Sequence, residues 1–111
     1  MNIPSDKIRE LTGVIRKSDT YRRYQRVRAE LEQHTELKQQ VDTFRRERYR
    51  MQQFGADMYA AADELQARYR QLAMEPLAVE YLELENSICR IIRETCSQIV
   101  QEIPLDLPSM E

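Results

Sequence analysis

The fold is decided by the stretch at residues 76–103, which reads PLAVEYLELENSICRIIRETCSQIVQEI. Apolar residues recur in it at spacings of three and four, as they do along one side of a long helix. They form two neighbouring stripes, about 100° apart around the helix axis. The first stripe contains Leu77, Tyr81, Leu84, Ile88, Ile91 and Thr95, and the second contains Cys89, Ile92, Cys96, Ile99 and Ile103. A helix with two such stripes is expected to lie between neighbours.

The rest of the chain predicts four shorter helices, separated by capping residues, glycine and proline. The expected bounds are 6–17, 20–32, 36–54, 57–74 and 76–103, followed by an extended tail at 104–111. Ser5, Thr35 and Asp57 are expected to cap helices, and Gly55 is expected to end the third one. The matched helices on either side of Gly55 predict an antiparallel hairpin. We therefore expect one all-α domain over residues 1–111, an antiparallel bundle of about five helices with a long C-terminal helix.

Composition agrees with long helices and indicates a protein of the cytoplasm. The chain has 111 residues, two glycines and no tryptophan, and 32% of its residues are charged. No apolar run reaches the length of a membrane span, and the N-terminus lacks the order of a signal peptide. Cys89 and Cys96 would lie about 10.5 Å apart along one helix, too far to bond within one chain. Two cysteines that do not pair fit a reducing compartment.

The sequence shows no arrangement that points to catalysis. Its single histidine, His34, falls in a predicted loop, and both cysteines fall on an apolar helical face, where core cysteines are the favoured interpretation. It has no glycine-rich phosphate loop and no pair of carboxylates in a predicted pocket. We expect a protein without enzyme activity, cofactor or metal ion.

Arginines cluster on the second and third predicted helices. The clusters are Arg22, Arg23, Arg26 and Arg28, and Arg45, Arg46, Arg48 and Arg50. Such patches can neutralise phosphates, so an RNA-binding bundle is one alternative. Acidic residues stand nearby, however, and the tyrosines fall on or near the apolar seams, which leaves few aromatic rings to stack on bases. We therefore favour a solvated or internally paired arginine face. Arg48 occupies a seam position, where its methylenes can cover the core while its guanidinium reaches water or a carboxylate.

Apolar surface exceeds what one small bundle of unequal helices is expected to hide. An exposed apolar stripe usually indicates a protein partner, here a second copy or a related subunit. The expected contact residues are Tyr81, Leu84, Ile88 and Ile91 on the last helix, with Arg45 and Arg48 as polar partners. A thiol-based redox sensor that uses the two cysteines is a further alternative.

Four stretches of the chain carry a family resemblance. They are Tyr21 to Tyr24, Phe44 with the basic run to Gln52, Gln53 to Gly55, and Pro76 to Tyr81 with Glu85, Asn86 and Ile88 after it. In order and spacing they resemble the small all-helical YlbF-type regulators of low-GC Gram-positive bacteria, from about Ile8 to Pro104. The resemblance implies self-association or pairing with a sister protein, and a regulatory role in competence, sporulation and biofilm control. It also implies a part in ribonuclease Y-dependent messenger processing.

Some members of that family carry a cysteine-rich tail associated with an iron–sulfur cluster. The tail of this chain, residues 105–111, contains no cysteine. Cys89 and Cys96 lie within the long helix instead. The resemblance therefore does not extend to cluster binding.

Overall fold

The computed structural model describes residues 2–54 and 58–106, with side chains outside residues 53–61. The described residues form five helices and no strand. The helices are α1 (Ser5–Arg16), α2 (Asp19–Glu32), α3 (Thr35–Phe54), α4 (Met58–Leu72) and α5 (Pro76–Glu102). The expected all-α bundle with a long C-terminal helix is confirmed.

Capping residues and proline explain where several helices begin. The hydroxyl of Ser18 accepts the backbone N–H of Tyr21 at 3.2 Å and caps α2. Pro76 occupies the first turn of α5, where its missing N–H costs no hydrogen bond. Ser5 and Thr35 are each the first residue of a helix rather than its cap. Those two capping predictions are therefore wrong by one position.

At the start of α3 the His34 carbonyl accepts the backbone N–H of Lys38 at 2.9 Å, so the cap position belongs to His34. At the start of α1, Pro4 holds the same position. The predicted roles of Gly55 and Asp57 fall outside the described residues.

The core lies where α2, α3 and the first half of α5 meet. Helix α2 runs antiparallel to α5 and packs along it, with Tyr24 beside Tyr81. Helix α3 folds back on α2, pairs with α4, and reaches α5 through Arg45 and Glu85. The buried core residues are Val27, Leu31, Val41, Phe44, Leu72, Ala78, Tyr81 and Leu84. Helix α1 contributes no buried residue.

The molecule is elongated because its helices differ so much in length. Its radius of gyration is 17.8 Å and its extents are 45 × 35 × 21 Å. A compact chain of this size would have a radius of gyration of about 13 Å. At 1.5 Å per residue, the 27 residues of α5 span about 40 Å, whereas the 14 residues of α2 span about 21 Å. Helix α2 can therefore cover only half of α5.

Candidate protein-interaction surface

The first half of α5 is covered by the chain itself. Tyr81 and Leu84 are only 6% and 8% exposed. The rings of Tyr24 and Tyr81 stack with centroids 5.5 Å apart, and their hydroxyl oxygens are 3.5 Å apart. An offset stack of this kind adds to the stabilisation from burial alone. In this part of α5 the first apolar stripe holds α2 in place.

A cluster of charges around Glu85 fixes α3 to α5. Arg45 Nη2 lies 2.7 Å from Glu85 Oε2, and Arg48 Nη2 lies 3.6 Å from Glu85 Oε1. The guanidinium of Arg45 also sits 5.8 Å from the centre of the Tyr81 ring, within the range of a cation–π contact. Because the Glu85 side chain is only 15% exposed, solvent screens these ion pairs less than those on the surface.

Arg48 behaves as its seam position predicted. Its guanidinium carbon lies 5.4 Å from the centre of the Phe44 ring, while its Nη2 reaches the carboxylate of Glu85. The side chain covers a core aromatic residue and keeps its charge beside an opposite one. The prediction that the guanidinium of this seam arginine reaches water or a carboxylate is confirmed.

Burial and charge shift the pKa values of two groups in this cluster. Burial raises the pKa of the Tyr81 phenol, and the nearby hydroxyl of Tyr24 raises it further. Partial burial lowers the pKa of Arg45, but Glu85, Tyr81 and Asp42 together outweigh this effect, and the net pKa is raised. Tyr81 therefore stays neutral and Arg45 stays charged at neutral pH.

The second half of α5 extends beyond this core with an apolar surface. We call Cys89, Ile92, Cys96, Ile99 and Ile103 the α5 outer stripe. Ile92, Ile99 and Ile103 are 49%, 48% and 51% exposed. Both cysteines are exposed as well, so their interpretation as core residues is wrong. The helix α2 that would have to cover them is too short to reach.

Between the covered and the exposed parts lie residues of intermediate burial. Ile88, Ile91 and Thr95 are partly buried. The Thr95 hydroxyl donates to the Ile91 carbonyl at 2.7 Å, so its polar group is satisfied within the helix. Thr95 therefore adds no unpaired hydroxyl to this apolar border.

Helix α1 is a second apolar element without cover. Ile8, Leu11 and Val14 are all exposed, although Ile8, Leu11 and Ile15 recur at the spacing of one helix face. The helix contacts α2 at the turn that joins them. An isolated helix of 12 residues is marginal in water, so a packing partner would stabilise α1.

The six residues that the sequence singled out fall into three environments. Tyr81 and Leu84 lie in the core, Arg45 and Arg48 hold Glu85, and Ile88 and Ile91 lie at the border described above. Sequence reasoning missed Glu85 itself. Its position four residues after Tyr81, beside a buried stripe and opposite an arginine-rich helix, was the available signal.

The described residues contain no group of three or more His, Cys, Asp or Glu side chains placed to hold a metal ion. Among the helices of the described part, none combines the length and the apolarity needed to cross a membrane. The described surface consists mainly of apolar helix faces and charged side chains.

The sequence of this chain matches the model of a known protein family. The model of the family described as control of competence regulator ComK, YlbF/YmcA, matches residues 5–104 of the 111. The chain belongs to the Com_YlbF family. Because the family is described as a control of a competence regulator, this Com_YlbF protein has a regulatory role. Comparison of this protein with curated proteins and with solved structures gave no significant match.

Proposed function

We propose that this Com_YlbF protein is a non-enzymatic regulator that acts through helix-to-helix contact, and that its partner is a second copy of the chain. One observation supports this above all. The α5 outer stripe keeps a spacing of three, four, three and four residues from Cys89 to Ile103 and is left uncovered by the part of the chain that the structure describes. That spacing suits packing against another helix.

Charge supports a second copy as the partner. Residues 1–55 contain 13 Lys or Arg and 8 Asp or Glu, whereas residues 56–111 contain 4 and 11. An antiparallel pairing of two copies sets the basic half of each against the acidic half of the other. It also gives the exposed faces of α1 and α5 an apolar neighbour. A related subunit with the same charge division is the alternative partner.

We also propose a cellular setting for this regulator. The resemblance to YlbF-type proteins supports roles in competence, sporulation and biofilm control, and in ribonuclease Y-dependent messenger processing. A regulator of this kind works in the cytoplasm. Partner contact rather than catalysis would transmit its effect.

Light scattering on the purified chain tests the association. Ile99→Glu places a charge on the α5 outer stripe, and because burying an unpaired carboxylate is costly, we expect the dimer to dissociate to monomer. Gln98→Glu is the matched control, since it adds the same charge to the neighbouring exposed position. We expect that variant to remain dimeric.

Thiol labelling gives an independent measurement of the same contact. We expect Cys96 to react slowly in the dimer and rapidly in Ile99→Glu, because dissociation returns the stripe to solvent. A wild-type chain that is monomeric at every concentration would contradict self-association. Retention of a related subunit by that monomer, and its loss in Ile99→Glu, would identify the alternative partner.

A further inference from the structure

One flank of α3 forms an open, basic groove that contains no residue of the α5 outer stripe. We call it the α3 groove. It is lined by Lys38, Asp42, Arg45, Arg46, Tyr49 and Arg50, and its volume is about 700 Å³. All six residues belong to α3, so the groove runs along one helix and is open to solvent. A pocket for a small molecule would enclose most of its ligand, which this surface does not do.

Positive charge dominates the lining of the groove. Four of its side chains are basic and one, Asp42, is acidic. Asp42 is already engaged by Lys38 at 2.8 Å and by Arg45 at 3.5 Å. Arg46 and Arg50 form no ion pair with any described residue, and both are exposed. One helical turn apart, these two guanidinium groups are available to an anionic partner.

Tyr49 lies beside these two arginines and is 62% exposed. On the assumption that the tyrosines lie on or near the seams, the sequence predicts few aromatic rings that could stack on bases. For Tyr49 that assumption is wrong, because Phe44 and Arg48 occupy the inward face of α3 at this level. The Tyr49 ring therefore offers an aromatic face to solvent within a basic surface.

We propose that the α3 groove binds single-stranded nucleic acid, with Tyr49 stacking on a base and Arg46 and Arg50 contacting phosphates. Exposed aromatic rings between cationic side chains are the means by which proteins hold single strands without reading their sequence. A duplex keeps its bases stacked on one another and offers none to Tyr49. An acidic peptide could pair with the arginines but would have no flat ring for the tyrosine.

This inference goes beyond the proposed self-association and rests on different residues. The groove lies on α3, whereas the proposed dimer contact uses the second half of α5. Ile99→Glu can therefore abolish the dimer without touching the groove, and substitutions in the groove leave the α5 outer stripe intact. The two proposals fail separately.

Fluorescence anisotropy with labelled 12-nucleotide oligouridylate and oligodeoxythymidylate tests the electrostatic part. We expect both strands to bind at low salt, and Arg46→Glu with Arg50→Glu to weaken binding at least tenfold. The salt dependence should fall as well, by about 0.7 in log–log slope for each lost phosphate contact. Arg22→Glu with Arg26→Glu is the matched control, because it makes the same charge change on α2, outside the groove. That variant should keep most of the affinity.

Substitution of Tyr49 tests the stacking part. Tyr49→Phe keeps the aromatic face and should bind like the wild type, whereas Tyr49→Leu should bind roughly tenfold more weakly, in line with the contribution of one stacked base. A polyglutamate peptide of equal charge should bind far more weakly than either oligonucleotide.

Absence of binding at low salt overturns the inference. So does equal affinity of Tyr49→Leu and Tyr49→Phe, or preferential binding of polyglutamate, which would make the groove a site for acidic protein. Preference for the ribose or the deoxyribose strand identifies which nucleic acid the groove takes.

Discussion

The two halves of α5 carry similar apolar residues but meet different surroundings. In the first half, Ala78, Tyr81 and Leu84 are buried against α2 and α3. In the second half, Ile92 and Ile99 are about half exposed. The local pattern of three- and four-residue spacings is the same in both. The difference arises from the neighbours. The outer stripe lies about 100° around the helix axis from the stripe that α2 covers, and α2 is half as long as α5.

This difference separates two uses of an apolar helix face. Burial in the first half stabilises the fold of the single chain, since it removes apolar surface from water. Among the described residues the second half stays about half exposed, and we propose that another molecule covers it. One helix can therefore act as a structural element at one end and as a contact surface at the other.

Truncation of one apolar side chain in each half gives the largest expected contrast. Leu84→Ala leaves a cavity in the core, and we expect it to lower the free energy of unfolding by about 2–4 kcal/mol. Ile99→Ala removes an exposed side chain, and we expect a change below about 0.5 kcal/mol at concentrations where the protein is monomeric. Urea unfolding followed by circular dichroism measures both. Equal losses in the two monomeric variants would show that the second half is buried within the chain.

Removal of the Glu85 charge sharpens the comparison at the polar edge of the first half. Glu85→Gln leaves Arg45 and Arg48 without their carboxylate, and we expect a loss of about 1–2 kcal/mol, since both arginines keep partial access to water. Glu80→Gln is the control. It breaks the 3.0 Å pair between Arg23 and Glu80, whose side chains are 56% and 42% exposed, respectively. We expect this variant to lose less than about 1 kcal/mol of stability. Similar losses in the two variants would contradict a special role for the Glu85 cluster.

Much of the fold could be predicted because helix periodicity is a local property. The five helices and the start of α5 at Pro76 follow from residues close in sequence. The position of a cap depends on a single residue, and at both Ser5 and Thr35 the helix begins one position earlier than predicted.

What covers each face could not be predicted, because it depends on how far neighbouring helices reach. Cys89 and Cys96 lie on an apolar stripe and suggested core residues, yet no described helix extends over them. Tyr81 and Leu84 were expected to contact a partner and are instead covered by α2. Tyr49 was placed near a seam, yet it lies one residue beyond the seam position of Arg48, about 100° around α3, and it is exposed.

Alkaline unfolding gives the smallest and most specific contrast, because a buried phenol lies in the first half of α5. Burial raises the pKa of Tyr81 above its ordinary value of about 10, so the folded state keeps it neutral after the unfolded chain ionises. The contribution of the neutral Tyr81 phenol to folding stability is therefore complete below about pH 10. Above that pH the free energy of unfolding falls, by at most about 1.4 kcal/mol per pH unit. Tyr81→Phe should flatten the fall in stability between about pH 10 and 11.

Tyr49→Phe is the control for this effect, since that ring meets water in both the folded and the unfolded states. Urea unfolding at each pH measures the slopes, and the difference between wild type and variant removes the titration of other groups. If Tyr81→Phe leaves the slope unchanged, as Tyr49→Phe is expected to do, the phenol of Tyr81 is in contact with water. The first half of α5 would then be open to solvent at the stacked pair, and its contrast with the second half would rest on the aliphatic residues alone.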